Sequence, residues 1–77
     1  MDKAQRIDRL KRYGKVLYGP RWQTDLSRDL KLSDARRMRQ WIAGDRGIPS
    51  WVWGAIEDLL RQRKEDIDRV MGEYDGD

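Results

Sequence analysis

Apolar residues recur along this chain at the spacing of a helix, not of a strand. Over residues 3–18, Ile7, Leu10, Gly14 and Leu17 fall on one stripe at about 100° per residue, flanked by Tyr13 and Tyr18. Gly14 lowers helix propensity by ~1 kcal/mol relative to alanine, and its place in the stripe predicts close approach of another helix. Gly19-Pro20 ends this block. A short second helix is predicted over 22–30, where Trp22, Leu26 and Leu30 share a face and Ser27 is small enough to admit a crossing helix. Lys31-Leu32-Ser33 breaks the pattern. Ser33 has the chemistry of an N-cap for a third helix over 34–43, and Asp34 suits its positive end. Ala35, Met38, Trp41 and Ile42 form the apolar face of that helix, and Gly44 stops it. After Asp45-Arg46-Gly47-Ile48-Pro49, Ser50 is placed to cap a long fourth helix over 51–74. Its stripe runs through Val52, Trp53, Ile56, Leu59, Leu60, Ile67, Val70, Met71 and Tyr74, interrupted only by Arg63. Asp75-Gly76-Asp77 is expected to fray. With no alternating strand pattern and no internal repeat, the fold class is all-α: three to four helices with a long C-terminal one.

Composition narrows the function. Seventy-seven residues make one small domain, which buries only ~60% of the surface exposed on unfolding. There is no cysteine, so disulfides and thiolate metal sites are excluded, and no histidine, the commonest general base and metal ligand. The carboxylates are scattered among arginines as on solvated helix faces. The expectation is therefore no catalytic residue, no metal, no cofactor, no small-molecule ligand, and not an enzyme. No apolar run approaches the ~18 residues of a membrane span and the polar start is no signal peptide, which predicts a cytoplasmic protein. Residues 1–50 carry thirteen Lys/Arg against six Asp/Glu, whereas residues 51–77 carry four against eight. The chain thus divides into a basic region, 1–50, and an acidic C-terminal segment, 51–77. Such an asymmetry suits one surface built for a polyanion and another built for something else.

A short helix, a turn, and a second helix with an apolar inner face and an arginine-rich outer face make a helix-turn-helix pattern over 22–43. Arg36 and Gln40 lie at the centre of the outer face, with Arg37 and Arg39 on its flanks. In the major groove an arginine fork can grip guanine and a glutamine amide can pair with adenine. Arg36 and Gln40 are therefore the expected base contacts, and Arg37 and Arg39 the expected phosphate contacts. Trp41 reads as core, as do Trp22, Trp51 and Trp53. For Lys11, Arg12 and Lys15, a solvated face and added backbone contacts both remain open.

The segment Arg21–Trp53, RWQTDLSRDLKLSDARRMRQWIAGDRGIPSWVW, resembles the short Cro/repressor-like helix-turn-helix proteins of bacteria and phages. The resemblance rests on Gln23 opening the first helix, the Leu32-Ser33 turn, Trp41 closing the second helix, and a Gly- and Pro-containing turn before a Trp-rich helix. Lys31 stands where that family usually has the turn glycine, and Ser27 where it usually has alanine. The Leu32-to-Trp41 spacing is one residue longer than usual, which leaves the register of Ala35, Arg36 and Arg37 in the groove open. The resemblance implies double-stranded operator DNA as partner, a regulator acting at the bacterial nucleoid, and Gln23 against a phosphate, with Arg21 beside it. Helix N-termini favour anions in any case. Repressors of phage or mobile-element type are the implied class, and anti-CRISPR-associated autorepressors are one subgroup of this appearance. Two other readings stand beside it: an excisionase-like or terminase-like architectural protein, and a protein-interaction module or phage inhibitor using the arginine face.

The fourth helix exceeds what a monomer needs. Twenty-four residues span about 36 Å at 1.5 Å each, against a diameter near 25 Å for a domain of ~50 residues. Ile67, Val70, Met71 and Tyr74 on the overhang predict a homodimer suited to a pseudo-palindromic operator. Packing of that distal half on helix one of its own chain is the alternative.

Overall fold

The structure, a computed structural model, describes residues 1–75, with the side chains of residues 1–74. Gly76 and Asp77 of the tail expected to fray lie outside the described residues, and Asp75 is the last helical residue. The described chain holds four helices and no strand: α1 (Lys3–Tyr18), α2 (Trp22–Asp29), α3 (Arg36–Ala43) and α4 (Trp51–Asp75). α1 is the hub against which the other three pack.

The start of α1 is fixed by Asp2 and Gln5. The Gln5 amide donates to Asp2 Oδ1 at 2.8 Å, and the Asp2 amide donates to Gln5 Oε1 at 3.0 Å. This reciprocal capping box satisfies two amides that the first turn leaves orphaned. Leu10, Gly14 and Leu17 are the buried positions of α1. A Cβ on Gly14 would lie 2.2 Å from Trp22 Cε3, so the glycine is what lets the indole opening α2 rest on the α1 backbone. The close approach expected at Gly14 is present. Nine side chains form the core: Leu10, Leu17, Trp22, Leu26, Leu30, Met38, Trp41, Val52 and Ile56. Every helix contributes, so the first half of α4 belongs to the same core as the basic region.

Ser27 is buried among these apolar groups, and its hydroxyl donates to the Gln23 carbonyl at 2.7 Å. That bond within the helix removes the cost of an unpaired buried hydroxyl. At the other end of α2, the Lys31 amide donates to the Arg28 carbonyl and the Leu32 amide to the Ser27 carbonyl. This is the Schellman arrangement, and it places Lys31 at φ +62°, the only non-glycine residue with positive φ among those described. The same arrangement closes α3: Gly44, at φ +82°, donates to Trp41, and Asp45 to Gln40.

One sequence expectation needs correction. α3 begins at Arg36, two residues later than the pattern predicts, and Ser33 does not cap it. The residue before the helix is Ala35, which offers no side-chain cap; one residue upstream, Asp34 Oδ1 accepts from the Arg36 amide at 2.8 Å. The alternative in which the distal half of α4 packs on α1 is not adopted. Ile67, Val70, Met71 and Tyr74 are all at least half exposed, and the molecule measures 50 × 27 × 21 Å because this half stands clear of the core.

Candidate nucleic-acid interface

α2 and α3 are joined by the six-residue connection 30–35, within which Leu30 is buried and Leu32 partly so. Those two leucines anchor the turn to the core and fix α3 relative to α2. Met38 and Trp41 are the buried side chains of α3, at 0% and 1% exposure. With residues set at about 100° intervals, the direction opposite them falls on Arg36 and Ala43. Arg39 and Gln40 lie about 50° to either side of that direction, and Arg37 lies farther round, toward the core. The three arginines are exposed, whereas Gln40 is half-buried.

This differs from the sequence reading, in which Arg36 and Gln40 share the centre. Ala35, counted there as part of the apolar face, precedes the helix, and Ile42 is only half-buried. The buried face is therefore narrower and its opposite shifts toward Arg39. Gln40 is covered partly because the chain beyond Gly44 turns back on it: its carbonyl accepts from both the Asp45 and Arg46 amides. Arg39 is thus as central as Gln40 and more exposed. The apolar count along α3 was too generous for the sequence to reveal this.

Among the described residues neither α1 nor α3 carries an ion pair, unlike α2 and α4. Arg28 pairs with Asp25 and Asp29 on α2, Arg61 with Glu57 and Asp58 on α4, and Arg69 with Asp66. Among the described residues none of Arg36, Arg37 and Arg39 is in an ion pair, and neither is Arg21. Arg21, Gln23 and Thr24 are exposed at the start of α2. A shallow hollow at the α2–α3 turn, lined by Thr24, Arg28, Ser33 and Asp34, separates that end from α3. The start of α2 and the solvent face of α3 therefore offer donors without internal acceptors. Asp34 is the one carboxylate at the head of α3, and it is engaged with the Arg36 amide.

The tryptophans divide. Trp22 and Trp41 are core, and Trp53 is half-buried, its ring edge-on to Tyr13 at 6.5 Å. Trp51, read from sequence as a packing anchor, is 49% exposed with one side against Trp41. Lys11, Arg12 and Lys15 are exposed on α1. Among the described residues no cluster of carboxylates is placed to hold a metal ion. Comparison with known proteins finds no matching family model, no matching curated protein and no matching solved structure.

Proposed function

We propose that this protein is a sequence-specific DNA-binding transcriptional regulator, a repressor of phage or mobile-element type, that lays α3 in the major groove of an operator and so works at the bacterial nucleoid. One observation carries the reading: three arginines on one short helix are exposed and unpaired, with Arg36 opposite the core, while Arg28 on α2 and Arg61 and Arg69 on α4 are neutralised within their own helices. A guanidinium with no carboxylate to leave binds a polyanion at no cost in broken ion pairs. An α-helix with its side chains is about 10–12 Å across, close to the ~12 Å width of the major groove, so α3 can lie within it. Arg36 projects deepest, with Arg39 and Gln40 beside it as base-reading groups. Arg37, Arg21 and Gln23 hold phosphates on either side.

Binding to duplex DNA across a salt series tests this reading. Log affinity should fall linearly with log salt, with a slope of about −0.9 for each phosphate contacted. Affinity for duplex DNA that stays flat from low to physiological salt would sink it.

A further inference from the structure

The apolar stripe of α4 continues past the point where the core ends. Ile56 is fully buried and Leu59 and Leu60 partly so, but Ile67, Val70, Met71 and Tyr74 are 54%, 60%, 52% and 77% exposed. Four large side chains in a row on a protruding helix form a contiguous patch of the kind that marks an interaction surface. Their flanks are ordered by charge. Arg61, Arg63 and Lys64 open this half of the helix; Glu65, Asp66, Asp68 and Glu73 follow, with Arg69 alone among them.

We propose that the distal half of α4 pairs with the same half of a second copy, antiparallel, about a two-fold axis between residues 68 and 69. Parallel pairing would set the basic turn against its own image and the acidic stretch against its own image. Antiparallel pairing sets each basic turn against the acidic end of the other helix, so the surface complements itself and needs no different partner. The register follows from the spacing. Ile67 and Val70 stand three residues apart on the stripe, as the two apolar positions of a heptad do. Reversal places Ile67 opposite the partner's Val70 and Arg63 opposite the partner's Tyr74. Lys64 then meets the partner's Glu73. Arg63, which lies 5.9 Å from the Tyr18 ring within its own chain, breaks the stripe where a second aromatic ring arrives. The two cores sit at opposite ends of the spine, about 38 Å apart between the two Ile56 positions at 1.5 Å per residue.

Light scattering on the full chain, without DNA, should give twice the 9.2 kDa of one copy at micromolar concentration. The double substitution Ile67→Asp with Val70→Asp should return one copy, with the fluorescence of the buried Trp22 and Trp41 unchanged. Orientation is read by crosslinking, which is clean because the chain has no cysteine of its own. A mixture of Arg63→Cys and Tyr74→Cys proteins should form a disulfide-linked heterodimer on mild oxidation, and Tyr74→Cys alone should remain largely uncrosslinked. A wild-type chain that stays monomeric, or a Tyr74→Cys protein that crosslinks to itself as readily as the mixture does, overturns the proposal. Neither result bears on DNA binding by α3, so the two readings fail separately.

Discussion

At Gly14 a single absent methyl decides how α1 and α2 meet. Alanine would raise helix propensity by ~1 kcal/mol, yet its Cβ would sit 2.2 Å from a rigid indole ring that cannot swing aside within the core. Overpacking should win, so Gly14→Ala should destabilise the protein by roughly 1–3 kcal/mol in urea unfolding. Lys31 is the opposite case. Its φ of +62° costs an L-residue about 1–2 kcal/mol, and the Schellman bonds on either side hold it there. Lys31→Gly should stabilise by about 0.5–1 kcal/mol after the added freedom of the unfolded chain is subtracted, and raise Tm by several degrees. Tyr18 joins the end of α1 to the end of α2 by donating its hydroxyl to the Asp29 carboxylate. Burial, then that hydrogen bond, then the charge of Asp29 hold its phenol protonated well above the ordinary value of about 10. A folded-state pKa raised in this way contributes stability that is complete below pH ~10 and lost as pH rises beyond it. Thermal melts from pH 8 upward should therefore show an alkaline decline in the wild type that Tyr18→Phe lacks.

Among the elements, α3 separates what a sequence pattern can specify from what it cannot. The buried stripe of every helix was legible, because apolar spacing reports directly on burial: Leu10, Leu17, Trp22, Leu26, Met38, Trp41, Val52 and Ile56 all lie in the core as expected. The start of α3 was not. Ser33 carries capping chemistry, but with Leu30 and Leu32 drawn into the core the helix starts only after Ala35, which is a tertiary effect. Nothing in the side chain of Lys31 announces its positive φ; the only signal is that it stands where the resembled family has a turn glycine. Counting Ala35 and Ile42 as core turns the apparent outer face toward Gln40 and away from Arg39. The consequence for binding is specific. Arg36→Ala should cost about 1–3 kcal/mol on the preferred site and much less on random duplex. Arg39→Ala should also erode that preference, whereas Arg37→Ala should weaken both kinds of DNA about equally, as a lost phosphate contact does. Titrations of the three alanine variants on selected and scrambled sites decide the order. An Arg36→Ala protein that keeps its preference would place the reading face elsewhere on α3.

For the whole molecule, the length of α4 is the dominant fact. A core made by α1, α2, α3 and the first part of α4 is complete without residues 61–75, and the 50 Å long dimension exists only because they extend past it. The stripe on that extension could be read from sequence, but its coverage could not: only the fold shows that α1 leaves Ile67, Val70, Met71 and Tyr74 bare. If two copies join along it as proposed, the cores stand about 38 Å apart along the spine, near the 34–36 Å that separates successive major-groove faces on one side of DNA. Sites selected from random duplexes should then contain two inverted half-sites with centres about one helical turn apart. Five base pairs inserted between the halves carry the second half-site to the far side of the duplex. Only one α3 of the dimer can then bind, and the avidity from linking two sites, commonly 10²–10⁴-fold, should be lost. Ten inserted base pairs restore the face but not the distance, so a rigid spine should recover little. The Ile67→Asp/Val70→Asp protein should bind all three spacings alike and weakly. Wild-type binding that ignores the five-pair insertion would show that the two cores are not held at a fixed separation, whatever the oligomeric state.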